Sequence, residues 1–267
     1  MPADLDGFTR RRFTFEGKTK TVYTGGDGPA VIVIHEVPGI TPEVAAFARR
    51  VVDAGFTVYM PSLLGEPGRP FSALYGVRSM VHACVSREFT TWGLDKTSPI
   101  TAWLRALARK AHMQCGGPGV GAIGMCLTGG FALAMMIDAA TIAPVLSQPS
   151  LPFAFGSKRK AAVGLSDADF ERVKARCSDG VCVLGMRFTG DRLVPRDRFE
   201  TLRRELGDAF IAVEIDSGAG NAHGIPKGAH SVVTAHFVDE PGHPTRDALD
   251  QVLAFFEARL KAVASDS

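Results

Sequence analysis

No stretch of this chain approaches the roughly 20 consecutive apolar residues that would cross a membrane. The opening, MPADLDGFTRRRFTFEGKTK, has no apolar core of the kind a secretion signal carries, so a cytoplasmic protein is expected. Net charge is nearly absent too: 30 basic residues against 28 acidic leave +2. That is too little to draw in nucleic acid or anionic lipid, and neither partner is expected. Five cysteines, Cys84, Cys115, Cys126, Cys177 and Cys182, include no C-x-x-C pair. This spacing argues against a zinc site, and the odd count argues against a disulfide framework. Tyrosine is scarce, 3 against 17 phenylalanines, which points to an apolar core.

What is present is an alternation of strands and helices. The 267 residues suit one α/β domain, 1–267. FTRRRFTFEG and KTKTVYTGGDG alternate β-branched or aromatic residues with charged ones, which predicts an edge hairpin within residues 1–29. AVIVIH is a continuous apolar run of strand length, the pattern of a strand covered on both faces. Thr41, Pro42 and Gly55 bracket a helix as N-cap, first helical residue and C-cap, and FTVYMP is the next strand. Ser98 and Pro99 open another helix in SPITAWLRALARKA. Strand and helix then alternate through GVGAIGM, LTGGFALAMMIDAA, TIAPVLSQ, DADFERVKAR, VCVLGMRFTG, DRFETLRREL, FIAVEID and the closing RDALDQVLAFFEARLKAV. This order predicts a doubly wound, mostly parallel sheet with helices on both faces, and such sheets bind ligands at the carboxyl ends of their strands. Residues 64–100 and 147–180 fit the pattern least and are expected to cover the substrate.

GVGAIG matches a dinucleotide-binding fingerprint in letters only. Its glycines lie before or inside the strand and not between strand and helix, and no acidic residue stands at a second strand end for a ribose. No cofactor and no metal are expected. His230, His236, His243 and Asp239 lack the spacing of a helical metal site. His236 and His243 are expected to be solvated loop residues.

The same glycines suit a nucleophile elbow, in which a strand, a sharp turn carrying the nucleophile and a helix follow one another closely. GAIG-M-C-L-TGG would place Cys126 at a helix N-terminus, where free amides and the dipole favour a thiolate. The amide of Leu127 would be one oxyanion donor. The bland alternative is a packed cysteine, which is the reading for the other four.

Here the chain resembles the dienelactone hydrolase family of the α/β-hydrolases, whose nucleophile is a cysteine in a G-x-C-x-G-G setting, over about residues 19–260. Thr128 departs from that pattern by standing where a glycine would fit more easily. The resemblance implies an α/β-hydrolase fold and an acid at Asp191, in the G-D-x-x-V-P turn, although an Asp there could also be only an N-cap. It implies a base in the loop after the last strand. His223 is preferred because it follows that strand soonest beside Gly224, and His230 is the alternative. Glu36 matches a glutamate that contacts the resting thiol and helps activate it, and the amide of Val37 falls at the second oxyanion position. Lys227 and Arg87 match, less specifically, basic residues that bind a substrate carboxylate. The expected activity is hydrolysis of small carboxylic esters or lactones through a thioester acyl-enzyme, with a small-molecule substrate as the partner, anionic where Lys227 and Arg87 bind a carboxylate. A catalytically silent binding or regulatory protein on the same fold is the alternative.

Overall fold

The computed structural model describes residues 5–85, 99–151 and 156–261. Its frame is one sheet of eight strands: β1 (Thr9–Phe15), β2 (Lys18–Gly25), β3 (Ala30–Ile34), β4 (Thr57–Pro61), β5 (Val120–Met125), β6 (Thr141–Ser147), β7 (Val183–Phe188) and β8 (Phe210–Ile215). The spatial order is β1-β2-β4-β3-β5-β6-β7-β8. β2 runs antiparallel to both β1 and β4, and every other pairing is parallel. The polar hairpin therefore lies at one edge. The described helices are α1 (Pro42–Asp53), α2 (Ala73–Val85), α3 (Pro99–Cys115), α4 (Gly129–Met135), α5 (Ser157–Ala161), α6 (Asp167–Ser178), α7 (Arg196–Leu206) and α8 (Pro244–Leu260).

β3 shows why two helical layers are needed. All five of its residues are buried: Ala30, Ile32 and Ile34 face one core, and Val31 and Val33 face the other. Residues of α3, α4, α6 and α7 fill the first core, and those of α1 and α8 fill the second. Each valine, leucine or isoleucine so buried contributes roughly 1.5–3 kcal/mol, and strands apolar on both faces leave no side of the sheet stable in water.

Local signals set the helix ends. Thr41 accepts from the Val44 amide at 3.4 Å with Pro42 in the first turn. The closing cap is Ala54, and Gly55 follows it at φ 82°. Ser98 lies outside the described residues. α4 is shorter than its hydrophobic run predicts, and arginines from neighbouring helices satisfy carbonyls left free at its end. Arg105 donates to Ala134 O at 2.9 and 2.7 Å, and Arg176 donates to Met136 O at 3.0 Å. Gly121, inside β5, gives clearance to α8, since a Cβ there would lie 2.9 Å from the Phe256 ring. Among the described residues no helix is long and apolar enough to cross a membrane.

Candidate active site

β5 ends at Met125, and the chain turns at once into a single 3-10 turn, Cys126–Thr128, that leads into α4. Cys126 takes φ 55°, a left-handed conformation that a side chain rarely adopts and that strained functional turns use. The turn needs two close approaches. A Cβ at Gly124 would collide with the carbonyl oxygen of Thr128, and one at Gly129 would lie 2.6 Å from Pro149 Cα. The clearance expected two residues after the cysteine is thus supplied three after it.

Thr128 is a staple and not an obstruction. Its fully buried hydroxyl accepts from the Met125 amide at 3.0 Å. Its single proton can go to Met125 O, His35 O or Ile34 O, at 2.9, 3.0 and 3.1 Å. The elbow is tied in this way to the end of β3.

Asp191 follows β7 and is buried. Its Oδ1 accepts from the Leu193 amide at 2.9 Å, and its Oδ2 lies 2.6 Å from His230 Nδ1. The histidine paired with the acid is therefore His230 and not His223. The Asn221 side chain explains the difference. It accepts from the amides of His223 and Ile225 at 3.2 and 2.9 Å and donates to Gly218 O and Ile225 O, closing a turn of its own. His223 is held on that turn, exposed, with its ring 5.3 Å from that of His243. Ile225 is buried just after this turn, and Ala229, Ser231, Val232, Val233 and Thr234 then form a buried run around His230 that carries it in.

His230 Nε2 is buried with no aligned hydrogen bond, and it faces the Cys126 thiol. Burial alone would lower this imidazole, but the Cys126 thiolate and the Asp191 carboxylate override it and push it up to about 11. Held between these two groups, His230 favours the imidazolium. Behind it, His236 Nδ1 accepts from the amides of His230 and Ser231 at 3.4 and 3.2 Å. Burial, then the neighbouring His230, pushes His236 down, which keeps it neutral for that task. His243 is buried as well and caps α8, with Nδ1 accepting from the Thr245 amide at 3.3 Å. Neither His236 nor His243 is the solvated loop residue expected from the sequence.

The carboxylate of Glu36 is turned elsewhere than to the thiol. It accepts from Gln148 Nε2 at 3.1 Å, from Ser231 Oγ at 2.7 Å and from Thr234 Oγ1. Gln148, also left-handed at φ 35°, reaches in the other direction with its Oε1, which accepts from Ser147 Oγ and the Val232 amide. The thiol's hydrogen-bond partner is Ser150, whose Oγ lies 3.2 Å from Cys126 Sγ. Nothing in the local pattern singles out Gln148 or Ser150. Arg198 was equally silent: buried in α7, it donates to Pro149 O and Ala162 O at 2.6 Å each. Burial lowers it to about 10 against the pull of Asp191, so it remains a cation that clamps the loops around the site.

A cavity of about 390 Å³ opens beside the His–Asp pair, lined by Gly190, Asp191, Arg192, Leu193, Lys227, Gly228 and His230. Lys227 is exposed at this rim, while Arg87 lies outside the described residues. Leu127, second in the turn, has an amide with no acceptor inside its helix. In the least regular segments, 148–150 lies against the nucleophile, whereas α6 turns Val173 into the core.

A cysteine on a left-handed turn after a central strand, an acid after β7 and a histidine after β8, all on this sheet order, define the α/β-hydrolase fold. Solved structures agree. A dienelactone hydrolase-like promiscuous phosphotriesterase from metagenomic libraries is 18% identical, with a TM-score of 0.61 over 94% of this chain and 98% of that one. A dienelactone hydrolase from Anabaena variabilis is 12% identical, with a TM-score of 0.60 over 95% and 98%. A cold-adapted esterase from an Arctic intertidal metagenomic library is 13% identical, with a TM-score of 0.57 over 95% of each. Within that fold the chain belongs to the dienelactone hydrolase family, whose model matches residues 19–260. A comparison with curated proteins finds none that matches.

Proposed function

We propose that the protein hydrolyses small carboxylic esters or lactones with Cys126 as nucleophile, His230 as base and acid, and Asp191 as its orienting partner. The observation that carries this reading is the left-handed Cys126 facing a histidine whose far nitrogen is 2.6 Å from a buried carboxylate. The Cys126 thiolate attacks the carbonyl carbon, and the carbonyl π pair moves onto oxygen. The amides of Val37 and Leu127 receive that oxyanion. Collapse breaks the bond to the leaving alkoxide, which takes the proton of the His230 imidazolium and leaves a thioester. Neutral His230 then takes a proton from water as the water attacks the thioester, and the thiolate departs with the acid product released. Asp191 holds the Nδ1 proton throughout and so fixes Nε2 toward the sulfur.

A thioester is less stable than an oxygen ester, which suits activated esters and lactones better than amides. The cavity of about 390 Å³ opens on the Asp191–His230 side of the site, and Lys227 with Arg192 gives its rim positive charge that an anionic substrate would meet. Glu36 supports the base by holding the loop that carries it. Turnover of an aryl ester panel by wild type and Cys126→Ala tests the reading. Loss of turnover in the variant is expected, and unchanged turnover would refute the assignment of Cys126.

A further inference from the structure

We propose that Ser150 is a further catalytic residue, whose hydroxyl donates a hydrogen bond to the Cys126 thiolate and holds it in the resting site. The proposal rests on the reading of Cys126 as the nucleophile. Two observations carry it. The carboxylate that the family resemblance assigns to the resting thiol, Glu36, is occupied by Gln148, Ser231 and Thr234. Meanwhile Ser150 Oγ lies 3.2 Å from Sγ, and Cys126 is its hydrogen-bond partner among the described residues. With the sulfur ionised it has no proton to give, so the hydroxyl must be the donor.

The position of that hydroxyl is built into the backbone. The Ser150 amide donates to Cys126 O at 3.0 Å, Pro149 O is held by the buried Arg198 at 2.6 Å, and the Gln148 amide donates to Met186 O at 2.8 Å. Pro149 also packs where a Cβ on Gly129 would lie 2.6 Å from its Cα, so the elbow helix and this segment fix each other. The end of β6 thus delivers one oxygen to the sulfur at the end of β5.

A donor to a thiolate has two opposed effects. It raises the fraction ionised, by about ten-fold for one pH unit of stabilisation, and it lowers the intrinsic nucleophilicity of the sulfur by about three-fold over the same unit. The test is the rate of iodoacetamide alkylation at Cys126 against pH, read by peptide mass spectrometry for wild type, Ser150→Ala and Ser150→Thr. In Ser150→Ala the profile of the coupled Cys126–His230 pair should move up by about one unit. The variant should then be about three-fold slower than wild type below the midpoint and about three-fold faster above it. Ser150→Thr, which keeps the hydroxyl, should restore the wild-type profile. A Ser150→Ala profile that superimposes on wild type, or is slowed equally at every pH without crossing, overturns the proposal and leaves the Cys126 reading standing. Ester turnover retained in Cys126→Ala overturns both.

Discussion

Replacing Thr128 with glycine, the residue the family pattern would put there, separates two accounts of the elbow. If the threonine merely crowds the turn, Thr128→Gly should relax it and leave the protein as stable or more so. The structure gives the opposite sign. Removing the hydroxyl leaves the buried Met125 amide without its acceptor at 3.0 Å and removes the donor shared among Ile34, His35 and Met125 carbonyls. An orphaned buried donor costs about 1–3 kcal/mol, and a glycine at a helical position adds about 0.5–1 kcal/mol of backbone entropy. Thr128→Val, which keeps the shape and loses only the hydroxyl, should therefore cost about 2 kcal/mol, and Thr128→Gly about 3 kcal/mol. Thr128→Ser, which loses one buried methyl, should stay within about 1 kcal/mol of wild type. Urea unfolding reads this directly, as a midpoint lowered by about 1 M for the valine and glycine variants with unchanged slope. A wild-type midpoint for Thr128→Val, beside destabilised serine and glycine variants, would show that shape and not the hydroxyl holds the turn, and a raised midpoint for Thr128→Gly would show that the threonine crowds it.

Two further outcomes follow from the histidines. His230→Ala should lower kcat on any ester that wild type turns over by about two to four orders of magnitude, while His223→Ala should leave kcat and KM as they are. A collapse in the second variant would reverse the assignment. His35, fully buried, donates from Nδ1 to Glu36 O at 2.8 Å and accepts at Nε2 from the amides of Leu63 and Leu64 at 3.0 and 3.3 Å. Burial, only partly opposed by the Glu36 carbonyl, lowers it from 6.5 to about 4. Above pH 6.5 it is neutral in both states. As pH falls from 6.5 toward 4 only the unfolded chain binds the proton, so stability drops by up to roughly 3 kcal/mol. His35→Gln should flatten that part of the pH–stability curve in urea titrations, and an unchanged slope would show that His35 does not cause it.

The strands, the turn at Cys126 and the carboxylate that pairs with a histidine are legible in the sequence because each is marked within about ten residues. β3 is a bare apolar run, β5 carries the glycines its turn needs, and Asp191 follows β7 directly. The histidine of that pair is not legible by the same means. Closeness to the end of β8 favoured His223, but space in a loop is set by what the loop bonds to, and Asn221 spends its side chain on a local turn that holds His223 outward. A better cue is the longer apolar run around His230, Ala229 with Val232 and Val233, where His223 has Ile225 alone. Glu36 was found and its contacts were not. Its partners Gln148, Ser231 and Thr234 are 112, 195 and 198 positions away, beyond any local pattern.

Those distant contacts also account for the two left-handed side-chain-bearing residues at the site. Cys126 and Gln148 stand just past the ends of the adjacent parallel strands β5 and β6, and each such conformation costs of order 1–3 kcal/mol. A strained residue persists only where its surroundings leave it no alternative. Cys126 is fixed by Thr128, by the clearance at Gly124 and Gly129, and by the Ser150 amide on its carbonyl. Gln148 is fixed by Met186, Glu36, Ser147 and Val232. The second set belongs in part to the loop of the base, since Val232 follows His230 by two residues and Glu36 also accepts from Ser231 and Thr234. The strain at β6 therefore brings Ser150 to the sulfur and ties that same strand end to His230. A buried carboxylate serves such a junction better than a neutral acceptor, because its two oxygens can take bonds from three directions and each bond to a charged acceptor is about twice as strong. Under the proposed mechanism Glu36 therefore acts through the position of His230 and not through a bond to the thiol.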